Sequence, residues 1–136
     1  MPIHKDWTKV ARRAGWVALR GSTRVLHVLL DAGIPPWVET PYNGTLFFDV
    51  LVSTGFPNED DKVELVRRML AAGANRSGVK PGTNESIFRS VKSYHVAIAC
   101  MQGGVPESEF LHLNRSLDGL PKDDPQAGAK TQPAIG

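Results

Sequence analysis

Side chains that could do chemistry are few in this sequence and form no familiar catalytic pattern. His27 and His95 stand six and nine positions before Gly33 and Gly104, so they do not occupy equivalent places on the segments that end in these glycines. No HExxH, P-loop or GxSxG pattern occurs. The single cysteine excludes an intrachain disulfide and a multi-cysteine zinc site. The sequence predicts no catalytic residue, cofactor or metal site; it leaves enzymatic activity open and favours binding.

Two reactive side chains lie in apolar surroundings. Cys100 stands as far before its glycine as Leu29 and Met69 do, which indicates a packing role. Asp49 interrupts the apolar segment 45–54, TLFFDVLVST, where a carboxylate must be hydrogen-bonded, paired or exposed. Two interpretations stay open for it: an exposed partner contact, or a hydrogen bond to the neighbouring turn. In a deep groove with a histidine or tyrosine, it would instead be the centre of an unusual small enzyme.

The elements that must position these residues repeat along the chain. Three segments end in a glycine, namely TRVLHVLLDAG (23–33), VELVRRMLAAG (63–73) and YHVAIACMQGG (94–104). Apolar residues three, four and seven positions before each glycine form one helical face. Glycine is the residue best suited to the left-handed end of a helix. Each segment follows a second apolar stretch, at 6–19, 45–54 and 85–92, so the sequence predicts three helix pairs joined by long turns.

The predicted domain covers residues 1–120 and the remaining residues 121–136 are predicted to be a flexible tail. Its parts are units at about 6–36, 42–76 and 83–106, and a capping helix at 107–119. The first two glycines are 40 residues apart and the next two 31. We place the extra residues of the middle unit in an acidic loop, 56–62, between its helices. A solvated loop is a simpler interpretation of Glu59, Asp60 and Asp61 than a cation site.

Residues 63–75, VELVRRMLAAGAN, resemble the second helix and following turn of the ankyrin repeat family. Segments 23–33 and 94–104 are more weakly similar, and residues 43–47, NGTLF, are similar to the turn and Thr-Pro-Leu-His opening, which no unit preserves. The resemblance implies an all-α, ankyrin-like α-solenoid of stacked helical hairpins with a C-terminal capping helix. It also implies a concave face that binds another protein, as an inhibitor, effector or adaptor. A HEAT or TPR array is the alternative architecture.

The predicted partner-binding surface comes mainly from the two long turns. The first, 34–44, places aromatic side chains on a segment stiffened by three prolines, and rigid aromatics are good interface anchors. The proposed contacts are Trp37, Tyr42, Asn43, Asp49, Asn75, Arg76 and Lys80. Two other interpretations stay open: Trp37 could cover the groove between units one and two, and the polar residues of the second turn could simply be solvated.

The charge is unevenly distributed, because residues 1–30 hold six basic residues and one acidic residue within a chain of net charge +2. A possible basic patch on the predicted first helix consists of Lys9, Arg12, Arg13 and Arg20. It is either a solvated outer face or a contact for an acidic partner or a phosphate backbone. Nucleic-acid binding through this helix is therefore a further alternative function, which the low net charge disfavours. No signal peptide or membrane-spanning segment is predicted, so we expect a cytoplasmic protein without a membrane partner.

Overall fold

A computed structural model describes residues 7–113 of the chain, which are mostly helical with one small two-stranded sheet. The α-helices are α1 (Thr8–Arg20), α2 (Thr23–Asp31), α3 (Leu46–Val52), α4 (Glu59–Ala71) and α5 (Tyr94–Gln102). The strands are β1 (Glu39–Thr40) and β2 (Gly44–Thr45), and the 3-10 helices are Ile87–Ser90 and Glu107–Phe110. The sheet departs from the predicted all-α class. Within residues 7–113, no helix combines the length and apolar character needed to cross a membrane.

The second helices of the three predicted units, α2, α4 and α5, end in the same backbone turn. In each, the residue after the glycine donates its N–H to the carbonyl five positions earlier. These bonds are Ile34 to Leu29 at 3.1 Å, Ala74 to Met69 at 2.9 Å and Val105 to Cys100 at 3.0 Å. The glycines have positive φ angles, which disfavour any side chain: Gly33 (99°), Gly73 (105°) and Gly104 (103°). The predicted glycine-ended helices are therefore confirmed.

The helices form two rows around one apolar core. In one row α1 lies beside α3 and α3 beside the 3-10 helix Ile87–Ser90; in the other α2 lies beside α4 and α4 beside α5. Three aromatic rings connect successive elements of the first row: Phe47 and Phe88 have centroids 6.1 Å apart, and Phe88 and Phe110 5.7 Å apart. Cys100 is fully buried, and burial raises the pKa of its thiol to about 12. Its predicted packing role is confirmed.

The predicted acidic loop is wrong, because its last four residues form the first turn of α4. Asn58 caps this helix by accepting a hydrogen bond from the Asp60 N–H at 2.9 Å. The three acidic residues of the predicted loop lie in the first helical turn, where the helix dipole favours negative charge. Lys62 connects α4 to the end of α3, because its Nζ donates to the Leu51 and Ser53 carbonyls at 2.9 and 2.8 Å.

The third unit is shorter than predicted. In place of a helix over 85–92 there is a 3-10 helix of four residues, Ile87–Ser90, capped by the Ser86 hydroxyl, which accepts from the Phe88 N–H at 3.1 Å. The predicted capping helix begins as the 3-10 helix Glu107–Phe110 and continues as helical backbone through residue 113. The rest of that prediction and the tail at 121–136 lie outside the described residues.

Candidate binding groove between the two long turns

The first turn, residues 34–45, is a short hairpin fixed to the helix that follows it. Glu39 pairs with Thr45 and Thr40 with Gly44 in antiparallel register. The Phe47 N–H then donates to the Pro36 carbonyl at 2.9 Å. The first residues of α3 therefore hold both ends of the turn.

A buried carboxylate fixes the inside of this hairpin. Asp49 of α3 is fully buried. It accepts hydrogen bonds from Thr40 Oγ1 at 2.6 Å, Asn43 N at 3.0 Å and Asn43 Nδ2 at 2.8 Å. Burial raises the pKa of Asp49, and these hydrogen bonds offset part of that effect. We call Asp49, Thr40 and Asn43 the Asp49 clasp.

The Asp49 clasp decides between the two interpretations of this carboxylate. Asp49 makes the hydrogen bonds to the neighbouring turn that one interpretation required. Its complete burial leaves no surface for the direct partner contact that the other interpretation required. The proposal of Asp49 as a contact residue is thus corrected: its role is to position the turn. The amide side chain of Asn43 is likewise committed in part to the clasp.

Tyr42 lies against α1 at a position where that helix has no side chain. A Cβ atom at Gly15 would stand 2.8 Å from Tyr42 Cδ2 and 2.6 Å from Asp49 Oδ2. Glycine is therefore required at this point of close approach. Tyr42 keeps 41% of its surface exposed but does not line the groove described below.

The second turn, residues 73–86, is held by backbone bonds, a surface ion pair and the side chain of Arg76. The Lys80 N–H donates to the Glu85 carbonyl at 2.8 Å, and the side chains of the same two residues form an ion pair at 2.7 Å. Arg76 donates to the Gly103 carbonyl at 2.6 Å and to the Leu70 carbonyl at 3.1 Å, near the ends of α5 and α4. Arg76 and Lys80 therefore both have partners within the chain.

A groove of about 530 Å³ separates the two turns. The first turn contributes Trp37 and Asn43 to its lining. The second turn contributes Asn75, Val79 and Pro81. The walls approach each other near Gly44, where a Cβ atom would stand 2.8 Å from Pro81 Cγ. The groove thus brings together three of the predicted contact residues, whereas Tyr42, Asp49, Arg76 and Lys80 do not line it.

Trp37 lies partly against the second turn and stays partly exposed. Its ring lies beside Gly73 of the second turn, where a Cβ atom would be 3.1 Å from Trp37 Cζ3. Yet 54% of its surface stays exposed, and Val79 across the groove is 53% exposed. Sequence reasoning missed Val79 and Pro81, although an isolated valine within a polar turn is a visible signal.

The predicted basic patch lies on the outer face of α1, apart from the groove. Lys9, Arg12, Arg13 and Arg20 are all exposed. Trp16, which sequence reasoning did not single out, is half exposed on the same helix, and the Arg20 guanidinium carbon lies 4.7 Å from its ring centroid.

The described histidines have structural partners and do not line the groove. The rings contact the Arg68 guanidinium (His27), the Glu59 carboxylate (His95) and the Val91 carbonyl (His112). Asp49 is likewise absent from the groove lining, so the arrangement required by the enzyme alternative is not found among residues 7–113. In that part of the chain, no group of three or more His, Cys, Asp or Glu side chains is placed to hold a metal ion.

Comparison with known proteins adds no relative: no family model matches the chain, and no curated protein matches its sequence. The function must therefore be inferred from the groove, its exposed side chains and the charge of α1.

Proposed function

We propose that this protein is a protein-binding module of three degenerate ankyrin-type units that holds a partner in the groove between its two long turns. The observation that carries the proposal is a half-exposed tryptophan fixed on the wall of an open groove. Large aromatic side chains held in place at a concave surface are typical anchors of protein interfaces.

The assignment to ankyrin-type units is supported by the recurrence of one turn at the ends of α2, α4 and α5. It is also supported by the order of elements, in which helix pairs alternate with long turns. The sequence between residues 63 and 75 supplies the family resemblance. Two features depart from the family pattern. The first helix of the third unit is a 3-10 helix of only four residues, and no unit preserves the Thr-Pro-Leu-His opening.

The walls of the groove suit an extended segment of the partner that carries one large apolar side chain. Trp37, Val79 and Pro81 offer apolar surface on both sides. Asn75 accepts from the Ser77 N–H through Oδ1, which leaves its Nδ2 beside Gly78 to donate to the partner backbone. Glu39 is the one charged residue lining the groove within the described chain, so the segment should be neutral or weakly basic.

The test compares two exposed aromatic residues in a binding experiment. The intact chain is used to capture its partner from the native host, and the purified partner is then titrated by calorimetry. Trp37→Ala should weaken binding at least about 30-fold, because an anchor residue contributes about 2 kcal/mol or more. Tyr94→Ala is the matched control, since Tyr94 is 47% exposed on α5 and does not line the groove. It should leave the affinity unchanged.

A second variant protects this test against a loss of fold. Val79→Asp places a charge on the opposite wall at a side chain that is already half exposed, so circular dichroism and the unfolding midpoint should stay as in the wild type. It should weaken binding as Trp37→Ala does. If the partner binds both folded groove variants with wild-type affinity, the groove is not its site and the proposal is wrong.

A further inference from the structure

We propose that the outer faces of α1 and α2 form a surface that binds anionic lipid bilayers peripherally, in contrast to the expectation from the sequence that the protein has no membrane partner. This surface, the basic edge, consists of Lys9, Arg12, Arg13, Trp16, Arg20, Val25 and Val28. The proposal does not depend on the protein-binding groove, which lies elsewhere on the molecule and shares none of these residues.

The five residues from α1 occupy one face of that helix. At 100° per residue, positions 9, 12, 13, 16 and 20 fall within an arc of about 100°. The buried positions of the helix lie on its other side, at Ala11, Ala14, Gly15 and Ala18. Gly15 lies against Asp49 of α3, which sets the direction of the core. The helix contains no acidic residue, so this face carries four positive charges without a compensating one.

The two valines extend this face onto α2. His27 and Asp31 of α2 both contact Arg68 of α4, which places that side of α2 against its neighbour. Val25 and Val28 lie about 140° and 80° around the helix from the centre of that side, and they are 45% and 59% exposed. Because α1 packs on α3 and α2 packs on α4, the faces turned away from these neighbours lie together at the same end of the two helical rows.

The combination of side chains fits a lipid surface better than a nucleic acid. Lysine and arginine near an anionic bilayer each strengthen binding about fivefold, and tryptophan favours the depth of the lipid headgroups. Exposed valines gain from contact with lipid and gain nothing from a phosphate backbone. The Trp16 ring also has Arg20 over one face, which removes one of the two surfaces that a stacked base could use.

The charge distribution gives the protein an orientation at such a surface. Among the described residues, 7–30 hold five basic residues and no acidic residue, whereas 31–113 hold seven basic and ten acidic residues. An anionic bilayer therefore attracts the end of the described chain that carries the basic edge and repels the remainder of residues 7–113.

The test is co-sedimentation of the full chain with vesicles of phosphatidylcholine alone or with 30% phosphatidylserine. The wild type should bind only the anionic vesicles and should be released as salt is raised. Arg13→Glu with Arg20→Glu should weaken binding at least about 25-fold, by loss of two favourable contacts. The control pair Arg89→Glu with Lys92→Glu changes two exposed cations in and just after the 3-10 helix Ile87–Ser90, outside the basic edge, and should stay within about twofold of the wild type.

Tryptophan fluorescence separates contact by the basic edge from unspecific adsorption. Anionic vesicles should shift the emission of the wild type to shorter wavelength, and Trp16→Phe should lose that shift while still co-sedimenting. Trp37→Ala should keep vesicle binding, which distinguishes this proposal from the groove.

Three outcomes would overturn the inference. They are a wild type that does not bind anionic vesicles, a control pair as impaired as the test pair, and salt-sensitive binding to single- or double-stranded DNA in gel shifts without binding to vesicles. The last outcome would assign the basic edge to nucleic acid instead.

Discussion

The two long turns begin in the same way and are then held by different means. Each follows a glycine with the same backbone hydrogen bond, and each ends at a hydroxyl that caps the next helix, Thr45 in the first turn and Ser86 in the second. Four positions after the cap stands Asp49 in the first case and Ser90 in the second. Asp49 reaches back into its turn, whereas the Ser90 hydroxyl donates to Ile87 within its own 3-10 helix at 2.6 Å.

This difference shows how one buried side chain changes a turn. The first turn is fixed from the inside by a carboxylate that satisfies three donors. The second turn depends on backbone bonds, on Arg76, whose side chain donates to the Gly103 and Leu70 carbonyls, and on the exposed Lys80–Glu85 pair. An exposed ion pair contributes little to stability. The groove therefore has one wall fixed by the core and one wall fixed mainly at its surface.

Removal of the clasp should have the largest effect. Asp49→Ala leaves the Thr40 hydroxyl and two Asn43 donors without their acceptor, and we expect a loss of about 3 kcal/mol in the free energy of unfolding. Urea denaturation measures it. Glu85→Ala removes a carboxylate from the second turn and should leave the unfolding midpoint unchanged. Asp31→Ala removes the exposed ion pair with Arg68 and should lower the free energy of unfolding by less than about 1 kcal/mol. Equal effects of Asp49→Ala and Glu85→Ala would contradict the comparison.

A methyl group at Gly15 should disturb the same clasp without removing any of its members. The methyl group of Gly15→Ala pushes Tyr42 and Asp49 away from α1, and we expect this overpacking to lower the free energy of unfolding by about 2 kcal/mol. Gly82→Ala in the second turn meets no atom within 4 Å and suffers only from its positive φ of 76°, at about 1 kcal/mol. Thermal unfolding of both variants measures the difference. A larger loss at Gly82 would show that backbone strain outweighs the packing at the clasp.

The pH dependence of the clasp gives the smallest effect. Burial raises the pKa of Asp49 above its ordinary value of 3.8, so between pH 3.8 and the raised pKa the folded chain holds a proton that the unfolded chain has lost. The stability contributed by Asp49 is then complete below pH 3.8 and declines as the pH rises through the raised pKa. The difference in unfolding free energy between the wild type and Asp49→Ala should be larger at pH 3.5 than at pH 7. An increase with pH would mean that the three donated hydrogen bonds outweigh the desolvation.

Sequence alone predicted the features that depend on local chemistry. The turns after α2, α4 and α5 need a residue with a positive φ angle, and the glycines at 33, 73 and 104 in the sequence indicate these turns. The apolar spacing before them predicted the buried faces, including the position of Cys100. For Asp49 the sequence required a partner or exposure but could not choose between them, because its donors lie in a turn six to nine residues away.

Other features were decided by the tertiary structure. The acidic segment at 59–62 is polar enough for a loop, yet the cap at Asn58 and packing of the residues that follow make it the first turn of α4. Trp16 was missed because its exposure depends on the direction in which α1 packs, which Gly15 and its contact with Asp49 determine. The groove could not be derived from either turn alone, since Trp37 and Val79 become its opposite walls only when successive units lie side by side. The residues themselves determined where the helices stop, because that is a property of single positions; which side chains meet across the groove depends on packing between distant segments.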